Sequence, residues 1–129
     1  MTPAESILAV LARHPRIDTA ILFGSLASGT ARPDSDLDLA VAGNTALDRA
    51  EKAGLIADLA ESLGRPVDLI DLAVAGEPLL GQILRHGRRL LGSDERYAGL
   101  LKRHLFEMAD FVPYRDRILA ERRQAWIGG

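Results

Sequence analysis

Cysteine is absent from the 129 residues, which removes disulfides, thiolate nucleophiles and cysteine-bound zinc from the available chemistry. Long apolar runs are absent as well. No stretch approaches the roughly eighteen residues that a membrane-spanning helix needs, and the opening Met1-Thr2-Pro3-Ala4-Glu5 lacks the basic and apolar segments of a secretion signal. A cytoplasmic location is the resulting expectation. Positive charge is not in excess, and a net charge of −2 gives no general attraction to phosphate backbones, so a nucleic-acid partner is unsupported. The histidines His14, His86 and His104 are scattered among basic neighbours and are expected at solvated helix ends rather than as ligands. What remains is a globular balance, 47% hydrophobic and 26% charged, in a chain sized for one core.

Along the chain, Thr2-Pro3-Ala4-Glu5 has the form of a helix start, with Thr2 as cap, Pro3 in the first turn and Glu5 able to reach back. Ile7, Val10 and Leu11 supply its apolar face. The run from Ile17 to Phe23 is β-rich and stops at Gly24. Ser35 to Val41 alternates with a period of two, and a helical pattern from about Thr45 to Leu63 is stopped by Gly64. Val67 to Leu72 is expected as a third strand, Pro78 to His86 as a helix and Arg88 to Leu91 as a short closing strand.

From Ser93, which can cap, a long helical segment is expected to run toward Gln124 and to be kinked or divided at Pro113. All the aromatics except Phe23 fall in it: Tyr97, Phe106, Phe111, Tyr114 and Trp126. Leu101, Leu105, Met108 and Val112 form a stripe at helical spacing. The division of the chain is therefore residues 1–92 and a C-terminal extension, 93–129. The extension either folds back to complete the core or leaves the body as an arm for a partner or a second copy.

The chemistry centres on Gly24-Ser25 followed, ten residues later, by Asp36-Leu37-Asp38. Residues two apart in a strand share a face, so Asp36 and Asp38 project together while Leu37, Leu39 and Val41 turn into a core. Adjacent carboxylates repel, and a divalent cation between them relieves the repulsion; oxygen donors alone favour magnesium. Asp68 is the third carboxylate. Matching Val67 and Leu69 to Leu37 and Leu39 turns Asp68 toward Asp36 and Asp38, and sends Asp71 the other way. Two metal ions held by such a trio suit in-line displacement at phosphorus, with Asp68 best placed as general base. Gly24 permits close approach of the backbone to phosphate, and the turn after it offers amides and the Ser25 hydroxyl. Arg32 is a candidate triphosphate contact, and Arg85, His86, Arg88 and Arg89 form a basic cluster expected to be solvated.

The run from Phe23 to Val41 closely resembles the signature of the minimal nucleotidyltransferases of the DNA polymerase β superfamily: Gly-Ser, ten residues, Asp-x-Asp, and a later aspartate that Asp68 matches. Gly29, Arg32, Pro33 and Ser35 also fit the family's loop. The resemblance implies an α/β (α+β) nucleotidyltransferase fold, a mixed sheet of about four strands packed by helices. It also implies Asp36, Asp38 and Asp68 as catalytic and metal-binding residues, and Gly24, Ser25, Arg32 and Ser35 at the nucleotide. The expected activity is Mg2+-dependent transfer of AMP from ATP to a hydroxyl with release of pyrophosphate.

A stand-alone chain of this size is similar to the antitoxins of HEPN–MNT toxin–antitoxin systems, which implies a separately encoded HEPN ribonuclease as partner and one of its tyrosines as acceptor. The toxin's own motif, Arg and then His after four to six residues, is absent upstream of all three histidines. Two alternatives stand beside this expectation: nucleotidyl transfer to a small molecule such as an antibiotic, and an antitoxin that acts by binding alone.

Overall fold

The computed structural model describes residues 1–128; beyond Ala109 it describes side chains only at Arg117 and Ala120. Helix α1 (Pro3–Leu11) starts as its sequence indicates, with the Thr2 hydroxyl accepting from the Glu5 amide at 3.1 Å. Strand β1 (Thr19–Phe23) is followed by the one-turn helix α2 (Gly24–Ser28) and by strand β2 (Leu37–Ala42). Helix α3 (Arg49–Leu63), strand β3 (Val67–Asp71), helix α4 (Leu79–His86), strand β4 (Arg88–Leu91) and helix α5 (Asp94–Gly128) complete the chain.

The strands form one sheet in the order β3-β2-β1-β4, with β2 and β3 parallel and the other pairs antiparallel. A parallel pair needs a crossover, and α3 provides it. On one face Leu37, Leu39, Val41 and Leu69 pack with Ile7, Val10 and Leu11 of α1 and with Leu55 and Leu59 of α3. On the other, Ile21, Ala40, Ala42 and Leu72 pack with Leu80, Ile83 and Leu84 of α4, joined by Tyr97 and Leu100 at the start of α5. Both faces of β2 are therefore covered. The alternation in its sequence marks apolar against acidic or small residues, and Ala40 and Ala42 are small enough to let the second layer close over them. The described residues contain no helix long and apolar enough to cross a membrane.

Two expectations about helix ends are corrected. Helix α3 starts at Arg49 rather than near Thr45, because the Asp48 carboxylate caps it by accepting from the Glu51 amide at 2.8 Å. The residues just before it are held differently. The Leu47 amide donates to Asp71 Oδ2 at 2.8 Å, and the Ala73 amide donates to Asp71 Oδ1 at 2.9 Å. Asp71 is 6% exposed and thus serves as a buried bracket between the segment leading to α3 and the end of β3, on the face away from Asp68. Asp71→Ala leaves two amides without their acceptor and is expected to lower unfolding free energy by about 2–3 kcal/mol, read from the denaturant midpoint.

The second correction concerns α5, which Pro113 does not divide: of the two expected outcomes, a kink or a break, the break is absent, and the helix counts 35 residues, a contour of about 52 Å. Proline removes one amide donor, a local loss that a helix of this length carries without ending there. Ser93 caps it as expected, accepting from the Arg96 amide at 3.1 Å. Of the apolar stripe, Leu101 and Leu105 lie away from its covered face. Leu101 is 38% exposed and Leu105 66%, whereas Tyr97, Leu100, Arg103 and His104 face the body. Arg103 Nη2 donates to the carbonyls of Leu72 and Ala75 and ties α5 to the end of β3. Met108 is half-buried. The side chains of Phe111, Val112, Tyr114 and Trp126 lie outside the described residues.

Two of the histidines also depart from expectation. His14 Nε2 lies 2.7 Å from Asp58 Oδ2, joining α1 to α3, and His104 Nδ1 meets Glu77 Oε1, joining α5 to the segment before α4. Their chain neighbours are basic; their partners come from 44 and 27 residues away.

Candidate active site

The register of two strand pairs assembles the acidic residues. Asp38 is the second residue of β2 and lies opposite Asp68, the second residue of β3, so in this parallel pair the two side chains emerge beside each other on one face. Asp38 also lies opposite Phe23, the last residue of β1, and this places it next to Gly24 at the entry to α2. A Cβ on Gly24 would overlap Asp38 Oδ2. The carboxylate therefore occupies the space a side chain would need. Asp36 sits just ahead of β2, outside the ladder, and is exposed, as is Asp68; Asp38 is half-buried.

The electrostatics carry the same proximity. Burial raises the Asp38 carboxyl above its ordinary value of 3.8, and the charges of Asp68 and then Asp36, with a hydrogen bond to Asp68, raise it further. None of the ion pairs among the described residues brings a lysine, arginine or histidine to these acids. Nor do three or more acidic or histidine side chains among the described residues already close around a point as a finished metal cage. The arrangement is an open, mutually repelling set of hard oxygen donors at a sheet end. That donor chemistry fits a hydrated magnesium ion, which keeps several waters and takes only one or two carboxylates.

Beside the acids lies the turn of α2. Phe23 enters it in extended conformation, Gly24 follows at φ 71°, and the first amides of the turn have no acceptor within so short a helix. Ser25 is half-buried in this turn. Residues 32–35 form a tight turn ahead of Asp36, in which the Ser35 amide donates to the Arg32 carbonyl at 3.0 Å and the Ser35 hydroxyl accepts from the Arg32 amide at 2.7 Å. Ser35 thus commits its oxygen to shaping the loop, while the Arg32 side chain beside it is exposed.

Sequence reasoning did not single out Arg65, whose Nη1 donates to the carbonyls of Arg32 and Ser35. No local motif marks it. Of the basic cluster, Arg89 is taken by α5: it pairs with Asp94 at 2.8 Å and lies 4.7 Å over the Tyr97 ring. Arg85, His86 and Arg88 are more open to solvent. A cavity of about 620 Å3 lined by Thr19, Gly43, Asn44, Arg96, Leu100 and Arg103 lies at the opposite end of the strands from the aspartates. Size alone does not mark the site.

A mixed sheet that sets a Gly-Ser turn against a pair of carboxylates, with a third just ahead of them, defines a nucleotidyltransferase-type fold. The family model described as polymerase beta, nucleotidyltransferase matches residues 5–96, and the chain belongs to that family. No curated protein matches it in sequence. Among solved structures, a chain of a toxin–antitoxin complex crystallised with AMP-PNP superposes with a TM-score of 0.80 at 27% identity, covering 93% of this chain and 98% of that one. A chain from the complex of tri-AMPylated Shewanella oneidensis HEPN toxin with MNT antitoxin matches at 24% identity and a TM-score of 0.75, covering 94% and 96%. A protein described as a minimal nucleotidyltransferase is 36% identical over 66% of this chain and 86% of its own, with a TM-score of 0.55.

Proposed function

We propose that this chain transfers AMP from ATP to a hydroxyl of a protein partner and thereby acts as the antitoxin of a HEPN-type ribonuclease, the acceptor being a tyrosine. The observation that carries the reading is the pairing of Asp38 with Asp68 across two strands, pressed against Gly24 with Asp36 beside them. Family membership supports the chemistry. The likeness to a chain from a toxin–antitoxin complex with AMP-PNP supports both the nucleotide and the kind of partner.

In this reading Asp36, Asp38 and Asp68 would hold the magnesium ions, which supply charge neutralisation at the phosphates and at the attacking oxygen. The chain's own groups do the rest. Amides of the turn after Gly24, with the Ser25 hydroxyl, bind the outer phosphates and align the leaving group. The acceptor oxygen forms a bond to the α-phosphorus, the bond from that phosphorus to the bridging oxygen breaks, and pyrophosphate departs. The acceptor's proton goes to the exposed Asp68 carboxylate. Leu101, Leu105 and Phe106, exposed on α5, are the surface offered to the partner.

The test is incubation of the protein with α-labelled ATP, magnesium and a candidate HEPN partner. Label on the partner that disappears with Asp36→Ala or Asp38→Ala is the expected result; neutralisation of the toxin undiminished by those variants would replace transfer with simple binding. Acid provides a further check. A proton on Asp38 competes with the cation, and its carboxyl is raised above 3.8, so divalent-ion binding should fade on acidification at higher pH than an unperturbed aspartate would allow. Calorimetric titration with Mn2+ over descending pH reads this directly.

A further inference from the structure

Asp36 is the one acid of the site that no strand ladder holds, since β2 begins at Leu37. Its direction is set by the turn before it, and that turn is gripped from outside. Arg65, between α3 and β3, donates from Nη1 to the Arg32 carbonyl at 3.2 Å and to the Ser35 carbonyl at 3.1 Å. These are the first and last carbonyls of the Arg32-Pro33-Asp34-Ser35 turn, which Ser35 also closes from within. The Ser35 carbonyl belongs to the planar peptide unit that enters Asp36, so holding that oxygen holds the plane from which Asp36 departs. One residue after Arg65, the Pro66 carbonyl accepts from the Leu37 amide at 2.8 Å, which anchors the other side of Asp36 to the same segment.

We infer that Arg65 is a positioning residue for nucleotidyl transfer: its guanidinium locks the peptide unit before Asp36 and thereby sets the Asp36 carboxylate against Asp38 and Asp68. The inference rests on the reading of those aspartates as cation ligands. It assigns a function to a side chain remote in sequence from every motif residue except Asp68. The grip also follows the chain's construction, because the segment that carries Arg65 leads directly into the strand that carries Asp68. One guanidinium therefore ties the two acidic elements together.

The test uses Arg65→Ala and Arg65→Lys in the full chain. Mn2+ affinity, read by calorimetry without nucleotide, should fall about tenfold in Arg65→Ala, the scale for removing a group that orients a metal ligand. Arg65→Lys should recover part of the loss, since a lysine keeps the charge but not the planar fork. Amides of Asp36 and Leu37 should exchange faster, and kcat per folded molecule should drop while the melting temperature stays close to wild type. Unchanged Mn2+ affinity in Arg65→Ala, or a loss fully explained by a smaller folded fraction, overturns the inference. Wild-type protein that binds no Mn2+ overturns the catalytic reading along with it. Binding that Asp36→Ala abolishes and Arg65→Ala keeps removes the role of Arg65 alone.

Discussion

Asp38→Asn is expected to lower AMP transfer by on the order of 10³-fold while raising the melting temperature of the metal-free protein. The activity loss follows from removing one charge of the cation-binding set, and the scale is that of deleting a group that acts on transition-state charge directly. The stability gain follows from linkage. Burial, Asp68 and Asp36 raise the Asp38 carboxyl above 3.8, so the folded chain holds that proton more tightly than the unfolded chain does. Stability from this group is therefore present below the unfolded value and is lost as pH rises through the raised value. At neutral pH the ionised carboxylate works against folding, and the isosteric amide removes that charge while keeping shape and a hydrogen-bonding group toward Asp68. Opposite movements of activity and stability are the diagnostic. Thermal denaturation in chelator, paired with labelled-ATP transfer, measures both; a melting temperature that falls with activity would make Asp38 a structural residue.

Asp38 is conspicuous in the chain for a local reason. An acid placed where it costs stability stands out against a strand whose other residues are apolar or small, and period-two parity then decides which of Asp68 and Asp71 joins it. Parity is a local property, and it survives folding: Asp68 pairs with Asp38, while Asp71 turns to the other face and accepts from the Leu47 and Ala73 amides. The strands were legible for the same reason, with starts two residues later than expected in β1 and β2, which leaves Asp36 outside the strand it was assigned to, and ends one residue off in β2 and β3. Long-range partners leave no such trace. Nothing near His14 or His104 announces Asp58 or Glu77, and nothing near Arg65 announces the carbonyls it holds. The stripe at Leu101 and Leu105 shows the limit of periodicity, since it predicts an apolar face and cannot say whether this chain or another covers it.

Gly24→Ala should reduce transfer by about 10²-fold, the scale of a reacting group displaced by about 1 Å, and should lower unfolding free energy by about 1–2 kcal/mol through backbone strain. Two separate effects converge there. The backbone lies at φ 71°, where a Cβ crowds the following carbonyl, and the added methyl would overlap Asp38 Oδ2. The carboxylate must rotate away or β1 and β2 must part. Either movement displaces Asp38 from Asp68 and carries the Ser25 turn with it. Gly29 separates strain from displacement, because it has nearly the same backbone angle, φ 78°, and a methyl added there would meet nothing within 4 Å. Gly29→Ala should thus show a comparable loss of stability with transfer nearly intact. Denaturant midpoints and initial rates for the two variants give the comparison, and equal activity losses at both positions would mean that backbone conformation, not the contact of Gly24 with Asp38, governs the site.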